Sequence, residues 1–165
     1  PSEEELRSGF SEYAIQESFV YDEKNDRVLF GTMHGNLYAL DRSTGKKIFK
    51  FDAGFGFYAT PLLYDSKIYA ASLDKHLYCL DLDTGAEKWR WDSDARIFAS
   101  PIEIEGSIYI GSNTGRLTEL DPETGSERSF LTLTERITNK AAYDSATKRI
   151  FVSTYANEIY CVTKE

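Results

Sequence analysis

The chain has 165 residues and a net charge of −8. That is enough for one domain or a set of small repeats burying about two thirds of its unfolded surface. Acidic residues are interleaved with the 19 lysines and arginines, which argues against nucleic acid and against a basic membrane-surface patch, since both draw on clustered positive charge. No run of about 18 apolar residues occurs, so no helical membrane span is expected. Eleven Tyr, ten Phe and two Trp against a single Met favour β-structure over a helical bundle. The chain opens at Pro1 with no apolar leader, which reads as a processed or excised piece.

Residues 1–17 form an N-terminal segment unlike the rest. Ser2 with Glu5 fits a capping box, Leu6 and Phe10 fall at i and i+4, and Gly9 is placed to end a short helix. A weak helix over residues 3–8 followed by an extended segment is expected. The competing reading is an outer strand over residues 4–13, where the spacing of the later units places one.

From Ser18 the chain is regular. Each unit opens on a short extended segment (Ser18–Tyr21, Thr60–Tyr64, Ser100–Ile104, Lys140–Tyr143) and turns through polar residues. A strongly apolar strand follows: Arg27–Thr32, Lys67–Ser72, Ser107–Ser112 and Arg149–Thr154. Such near-continuous apolar runs belong to strands covered on both faces, so neighbouring sheets must sandwich each one. A second turn leads to a third strand, and that strand runs into a repeated turn. The repeat is plainest in Leu37-Tyr38-Ala39-Leu40-Asp41, Leu77-Tyr78-Cys79-Leu80-Asp81 and Leu117-Thr118-Glu119-Leu120-Asp121, spaced forty residues apart. Three residues after each Asp comes Thr-Gly, at Gly45, Gly85 and Gly125. The Asp carboxylate can accept backbone N–H groups of the turn, and the Gly supplies the positive φ of a tight reversal. An aromatic returns four residues after the Gly, as Phe49 and Trp89. A fourth copy begins at Ile159-Tyr160-Cys161-Val162-Thr163. Four-stranded antiparallel units at a fixed period read as blades of an all-β propeller, over 18–57, 58–97, 98–137 and an incomplete 138–165.

The pattern Ala-x-Asp-x-x-Thr-Gly-x-x-x-Trp resembles the tryptophan-docking motif of the pyrroloquinoline quinone (PQQ)-like repeat family. That family includes quinoprotein alcohol dehydrogenases and non-enzymatic propellers such as outer-membrane assembly scaffolds. Ala39, Asp41, Thr44, Gly45 and Phe49 match in the first copy, with Phe in place of Trp. Asp81, Thr84, Gly85 and Trp89 match in the second, with Cys79 in the small-residue place. Asp121, Thr124 and Gly125 match in the third, where Glu119 and Ser129 replace the small residue and the aromatic together. A large side chain at the one position would leave no slot for a ring at the other. The resemblance implies a ring of seven or eight blades. The present units would then be part of a longer propeller, half of a two-chain ring with residues 4–13 adding a strand to the partner's fourth blade, or a closed four-blade ring.

The resemblance does not carry the enzyme with it. A quinone site with calcium ligands, a catalytic Asp and a disulfide between adjacent cysteines would be expected of the dehydrogenases, but the two cysteines here lie 82 residues apart and the aspartates are accounted for by turns. Asp81-x-Asp83 lacks the spacing of a calcium loop and reads as an Asx-stabilised turn. His34 and His76, at non-equivalent turn positions, read as solvated. Cys79 and Cys161 occupy the same docking place two units apart, so buried free thiols are expected, with a lean toward a reducing, cytoplasmic setting. Trp89 is expected to be largely buried. No catalytic residue and no metal or cofactor is expected.

Candidate binding residues lie in the loops that lead into each innermost strand, which in this family border the axial mouth. Phe55, Tyr58, Arg96 and Arg136 are exposed-type aromatics and arginines suited to an interface, whereas Phe57, Phe98 and Ile137 are expected to pack between blades. The resulting reading is a non-catalytic module for protein interaction or assembly. Its partner would be another protein, the remaining blades of the same propeller, or a second copy. The alternative is a propeller that binds PQQ with calcium, or another small ligand.

Overall fold

A computed structural model of the chain describes residue 15 and residues 19–163. The segment expected as a helix over residues 3–8, or as a strand over residues 4–13, lies outside the described residues. The rest forms four antiparallel sheets. The first contains β1 (Val20–Asp22), β2 (Arg27–Gly31), β3 (Asn36–Asp41) and β4 (Lys47–Asp52); the second β5 (Leu62–Tyr64), β6 (Lys67–Ala71), β7 (His76–Asp81) and β8 (Glu87–Asp92). The third contains β9 (Ile102–Ile104), β10 (Ser107–Gly111), β11 (Arg116–Leu120) and β12 (Glu127–Thr132), and the fourth β13 (Ala142–Asp144), β14 (Arg149–Ser153) and β15 (Ile159–Thr163). Strands pair in chain order within every sheet, as expected of propeller blades joined by short reversals.

The turns follow from their residues. Asp65 and Ser66 both take positive φ, 48° and 57°, the backbone twist a two-residue hairpin needs. In the Asp-x-x-Thr-Gly turns one carboxylate oxygen gathers the reversal. Asp41 Oδ1 accepts the Thr44 N–H at 2.7 Å and its hydroxyl at 2.6 Å, and Asp81 Oδ1 accepts the corresponding groups of Thr84 at 3.0 and 2.9 Å. The Gly N–H then returns to the Asp carbonyl, at 2.8 Å in the first copy. The Asp81-x-Asp83 segment is therefore an Asx turn, as its spacing indicates. All three outer pairings shift register at the same place, just before the last residue ahead of the Asp. Such a bulge bends the outer strand.

The sheets stack face to face. Leu29, Leu37 and Ala39 of the first meet Ile68, Ala70 and Leu80 of the second, while Tyr69, Leu77 and Cys79 of the second meet Ile108, Ile110 and Leu120 of the third. Tyr109 and Leu117 of the third meet Ile150 and Val152 of the fourth. Both central strands β6 and β10 are buried along their whole length, the double covering that their apolar runs demand. Each large aliphatic side chain so buried contributes roughly 1.5–3 kcal/mol of transfer free energy.

The docking motif works between sheets. Phe49 lies on Gly85, where an added Cβ would sit 2.4 Å from its ring, and Trp89 lies on Gly125, where the distance would be 2.6 Å. Both glycines have positive φ, 71° and 72°, so conformation and contact each require the missing side chain. Opposite the rings stand the small residues, Ala39 paired with Phe49 and Cys79 with Trp89. The Trp89 indole N–H also donates to the Pro122 carbonyl at 3.2 Å. Trp89 is of intermediate burial: on the outermost strand of its sheet, its ring covers the Gly125 turn and packs against the edge of the core, 5.8 Å from the Tyr69 ring. Trp91, two residues on, fills the core instead at 7 % exposure. In the third copy a polar set occupies the same ground. Ser129 donates to Glu119 Oε2 and Ser107 to Glu119 Oε1, each at 2.7 Å. Arg128 bonds Ser107 and Asp121. Beside this set, between β11, β12 and the fourth sheet, opens a cavity of about 390 Å³.

The arc is open on one side. Among the described residues, buried clusters join the first sheet to the second, the second to the third and the third to the fourth, and none joins the fourth to the first. A four-blade ring closed within the chain is therefore not formed by them. The far face of the fourth sheet exposes Phe151 and Ile159, and with them Cys161, which is free but not buried. Cys161 departs from the expectation because no sheet among the described residues lies against it. At the other end, Phe30, Tyr38 and Leu40 on the far face of the first sheet are buried.

Candidate functional site

The loops that follow β4, β8 and β12 lie on one face of the arc, together with the turns between the second and third strand of each sheet. Backbone bonds lock these parts across sheets. Leu73 N–H donates to the Gly56 carbonyl, Asn113 N–H to Arg96 and Tyr155 N–H to Arg136, at 2.9, 3.1 and 3.0 Å. Side chains repeat the lacing. Asp74 accepts the Gly54 N–H at 2.9 Å, Asp94 accepts the Thr114 hydroxyl at 2.6 Å, and Thr134 donates to Glu158 at 2.7 Å. Desolvation pushes the Asp94 carboxyl up, but the hydroxyls of Thr114, Ser112 and Ser93 together hold it below its ordinary range. The face is thus a preorganised surface, with each loop pinned to the next sheet.

Phe57, Ile97 and Ile137 are buried at 2, 0 and 1 % and plug the seams between sheets. Phe57 and Ile137 do so as expected. Phe98 does not: it aligns with Tyr58, one residue beyond the plug, and is partly exposed, its ring set edge-on to that of Tyr58 at 5.3 Å. Comparing 54–60, 94–100 and 134–140 residue by residue places Ile97 at the plug, so the signal was present in the repeat.

Of the four candidates, Tyr58 and Arg136 line one cavity of about 340 Å³ together with Phe98 and Tyr155. Asn113, Thr138 and Asn139 complete its polar wall. Arg136 Cζ lies 3.9 Å from the centroid of the Tyr155 ring. Phe55 and Arg96 form a second pair outside that lining, with Arg96 Cζ 5.8 Å from the Phe55 ring. The structure therefore brings the four together as two arginine–aromatic pairs rather than one cluster. Tyr155 was missed because it sits in a turn that the repeat pattern treats as a spacer. Asn113 Oδ1 is buried and has no hydrogen-bond partner among the described residues.

The two arginines differ from the others. Of the eight described arginines, Arg27, Arg42, Arg90, Arg116 and Arg128 hold carboxylates, and Arg149 lies in the field of Asp144. Arg96 and Arg136 have no acidic partner among the described residues, although the chain as a whole carries −8. The neighbouring Glu135 carboxylate accepts from the Arg136 backbone N–H, at 3.3 Å, not from its guanidinium. A guanidinium stacked on a ring keeps its in-plane N–H donors available.

Of the histidines, His34 is exposed, while His76 is held rather than solvated. Its Nε2 lies 3.0 Å from Asp92, and its Nδ1 lies 3.1 Å from Asp74. That second approach is off the direction of a hydrogen bond, leaving Nδ1 without one. No group of three or more His, Cys, Asp or Glu among the described residues is placed to hold a metal.

A family model described as outer membrane protein assembly factor BamB matches residues 8–165. The chain belongs to this family. Among solved structures it is similar to BamB from Moraxella catarrhalis, with a TM-score of 0.79 and 20 % identity over 89 % of this chain and 49 % of that one. The chain thus spans about half the length of that BamB. It is similar to the computationally designed Ika4 protein, with a TM-score of 0.82 and 12 % identity over 95 % of each chain. It is also similar to quinohemoprotein alcohol dehydrogenase from Comamonas testosteroni, with a TM-score of 0.75 and 16 % identity over 86 % of this chain and 29 % of that one. At these identities the likeness is one of fold, and the same fold serves an assembly factor and a dehydrogenase. Comparison with curated protein sequences gives no match. No helix of the described residues is long and apolar enough to cross a membrane.

Proposed function

We propose that this BamB-family chain is a non-catalytic module for protein interaction or assembly, and that it contacts its partner through the loop face carrying Phe55, Tyr58, Arg96 and Arg136. The observation that carries this reading is the pair of arginines without carboxylates, each against an aromatic ring, on loops already pinned by inter-sheet bonds. Arginine and aromatic side chains are the residue types that anchor interfaces, and a surface ordered before binding avoids the entropy of ordering it. The uncovered far face of the fourth sheet supplies a second contact, for further blades or a second copy. The reading involves no cofactor.

Two measurements test it. In a dye-linked dehydrogenase assay with added PQQ, calcium and a panel of primary alcohols, no turnover is expected, and turnover would replace the scaffold reading with the quinoprotein one. In affinity capture from a bacterial envelope extract, proteins retained by the wild type are expected to be lost from the F55A/R96Q/R136Q variant. Equal retention by both would remove the loop face from the proposal.

A further inference from the structure

Resting on that reading, we infer that the cavity between Tyr58, Phe98, Arg136 and Tyr155 is a recognition site for an acidic peptide segment, taking an Asp or Glu side chain onto the Arg136 guanidinium. Three observations converge there. Arg136 is exposed and has a ring beneath it, with no carboxylate of its own among the described residues. A charge-assisted pair with an incoming carboxylate is then gained without breaking an internal one. The cavity of about 340 Å³ is at the lower end of ligand-pocket sizes, room for one or two side chains, and its walls are the faces and edges of three aromatic rings. Asn113 and Asn139 give that wall amide groups, which match the N–H and C=O groups of a peptide backbone rather than a second charge.

Arg96 extends the argument along the same face. Its carbonyl holds the Asn113 N–H at 3.1 Å, so its loop abuts the cavity wall, and its guanidinium, which among the described residues pairs only with Phe55, is placed for a second carboxylate of the same segment. The chain's overall negative charge makes this selective: an acidic partner is repelled by most of the surface and attracted by these two groups.

The test is selection of a random seven-residue peptide library on the immobilised full chain, in parallel with the R96Q/R136Q variant. Both side chains are exposed, so the variant is expected to keep the wild-type thermal midpoint, checked by circular dichroism. Peptides recovered on the wild type should be enriched in Asp and Glu over the input library and over the variant. The best of them, fluorescein-labelled, should lose about tenfold in affinity with R136Q, weaken with added salt, and recover part of the loss with R136K, which restores charge without the planar fork. Peptides that enrich without acidic bias, or equally on the variant, would overturn the acidic-segment assignment while leaving a peptide-binding scaffold standing. Failure of any peptide to enrich while PQQ alone binds the wild type would overturn both this site and the scaffold reading in favour of a small carboxylate ligand.

Discussion

The second and fourth sheets carry corresponding residues at corresponding places and differ in what lies beside them. Tyr69, Leu77 and Cys79 of the second sheet are fully buried, whereas Phe151 and Ile159 at the matching positions of the fourth are 38 and 77 % exposed and Cys161 is exposed too. The pairing is the same in both, Tyr69 opposite Cys79 and Phe151 opposite Cys161. Burial in this architecture is therefore a property of the neighbour: the third sheet covers the second, and no described residue covers the fourth. Repeat stability is a sum of intrinsic and interface terms, and the comparison separates them.

The largest expected difference is in thiol chemistry. Cys161 should react with a small disulfide reagent at the rate of a free exposed thiol, and Cys79 at least ~10³-fold more slowly in the native protein, because its exposure requires opening a core strand. Burial also pushes the Cys79 thiol up to about 12, leaving little thiolate. Similar rates for both would mean that the second and third sheets are not packed as described. Next in size are the ring deletions. Tyr69→Ala should cost ~3–5 kcal/mol in urea unfolding, as large-to-small core changes do, and removes the hydrogen bond of its hydroxyl to Pro122. Phe151→Ala should cost ~1 kcal/mol. If a partner covers the fourth sheet, adding it should raise the cost of Phe151→Ala toward that of Tyr69→Ala, which sharpens the comparison.

A smaller contrast lies in the docking places. Trp89→Ala should cost ~2–3 kcal/mol, less than for a fully buried ring, since it loses one face on Gly125 and one hydrogen bond. Ser129→Ala, at the matching place in the third sheet, should cost about 1 kcal/mol or less. Equal losses at the two would show that the Glu119 network substitutes fully for the ring.

Much of this was legible in the chain. The forty-residue spacing, the Asp-x-x-Thr-Gly turns and the apolar middle strands specify four stacked sheets, because turn chemistry and strand burial are written locally. Cys161 departs because exposure depends on contacts from outside the unit, whereas Phe98 was legible from the repeat and His76 is held by Asp74 and Asp92 of its own unit. Cys161 and Cys79 hold the same place after an aliphatic residue and Tyr, and nothing in those residues tells which is covered. Trp89 carries the motif but caps a turn, while Trp91, outside the motif, fills the core opposite Leu77. At the loop face, Arg136 was recognisable as a candidate, but Tyr155 and Asn113 were not, since they arrive from turns of the following sheets.

The smallest effect concerns acid. In the first three sheets the turn carboxyls are held down to about 2: Asp41 chiefly by the Thr44 hydroxyl, Asp81 by Lys88 and Asp121 by Arg128. A carboxyl whose folded value lies below the unfolded value of ~3.9 adds stability that is complete above that unfolded value and disappears as the pH falls toward 2. The fourth sheet has Thr163 at the same place, so that position carries no carboxyl to titrate. Because these carboxyls are solvent-facing, each effect is small and weakened by salt. The D41N/D81N/D121N variant keeps an oxygen to accept the turn N–H groups but cannot titrate. Urea midpoints measured from pH 5 to pH 2 should therefore fall less steeply for the variant than for the wild type, the remaining slope coming from groups such as Asp94 and Glu158, whose carboxyls are also lowered. Parallel slopes would mean that the three turns reverse equally well with the carboxyl protonated, and that the Thr and Gly positions, not the charge, hold the repeat together.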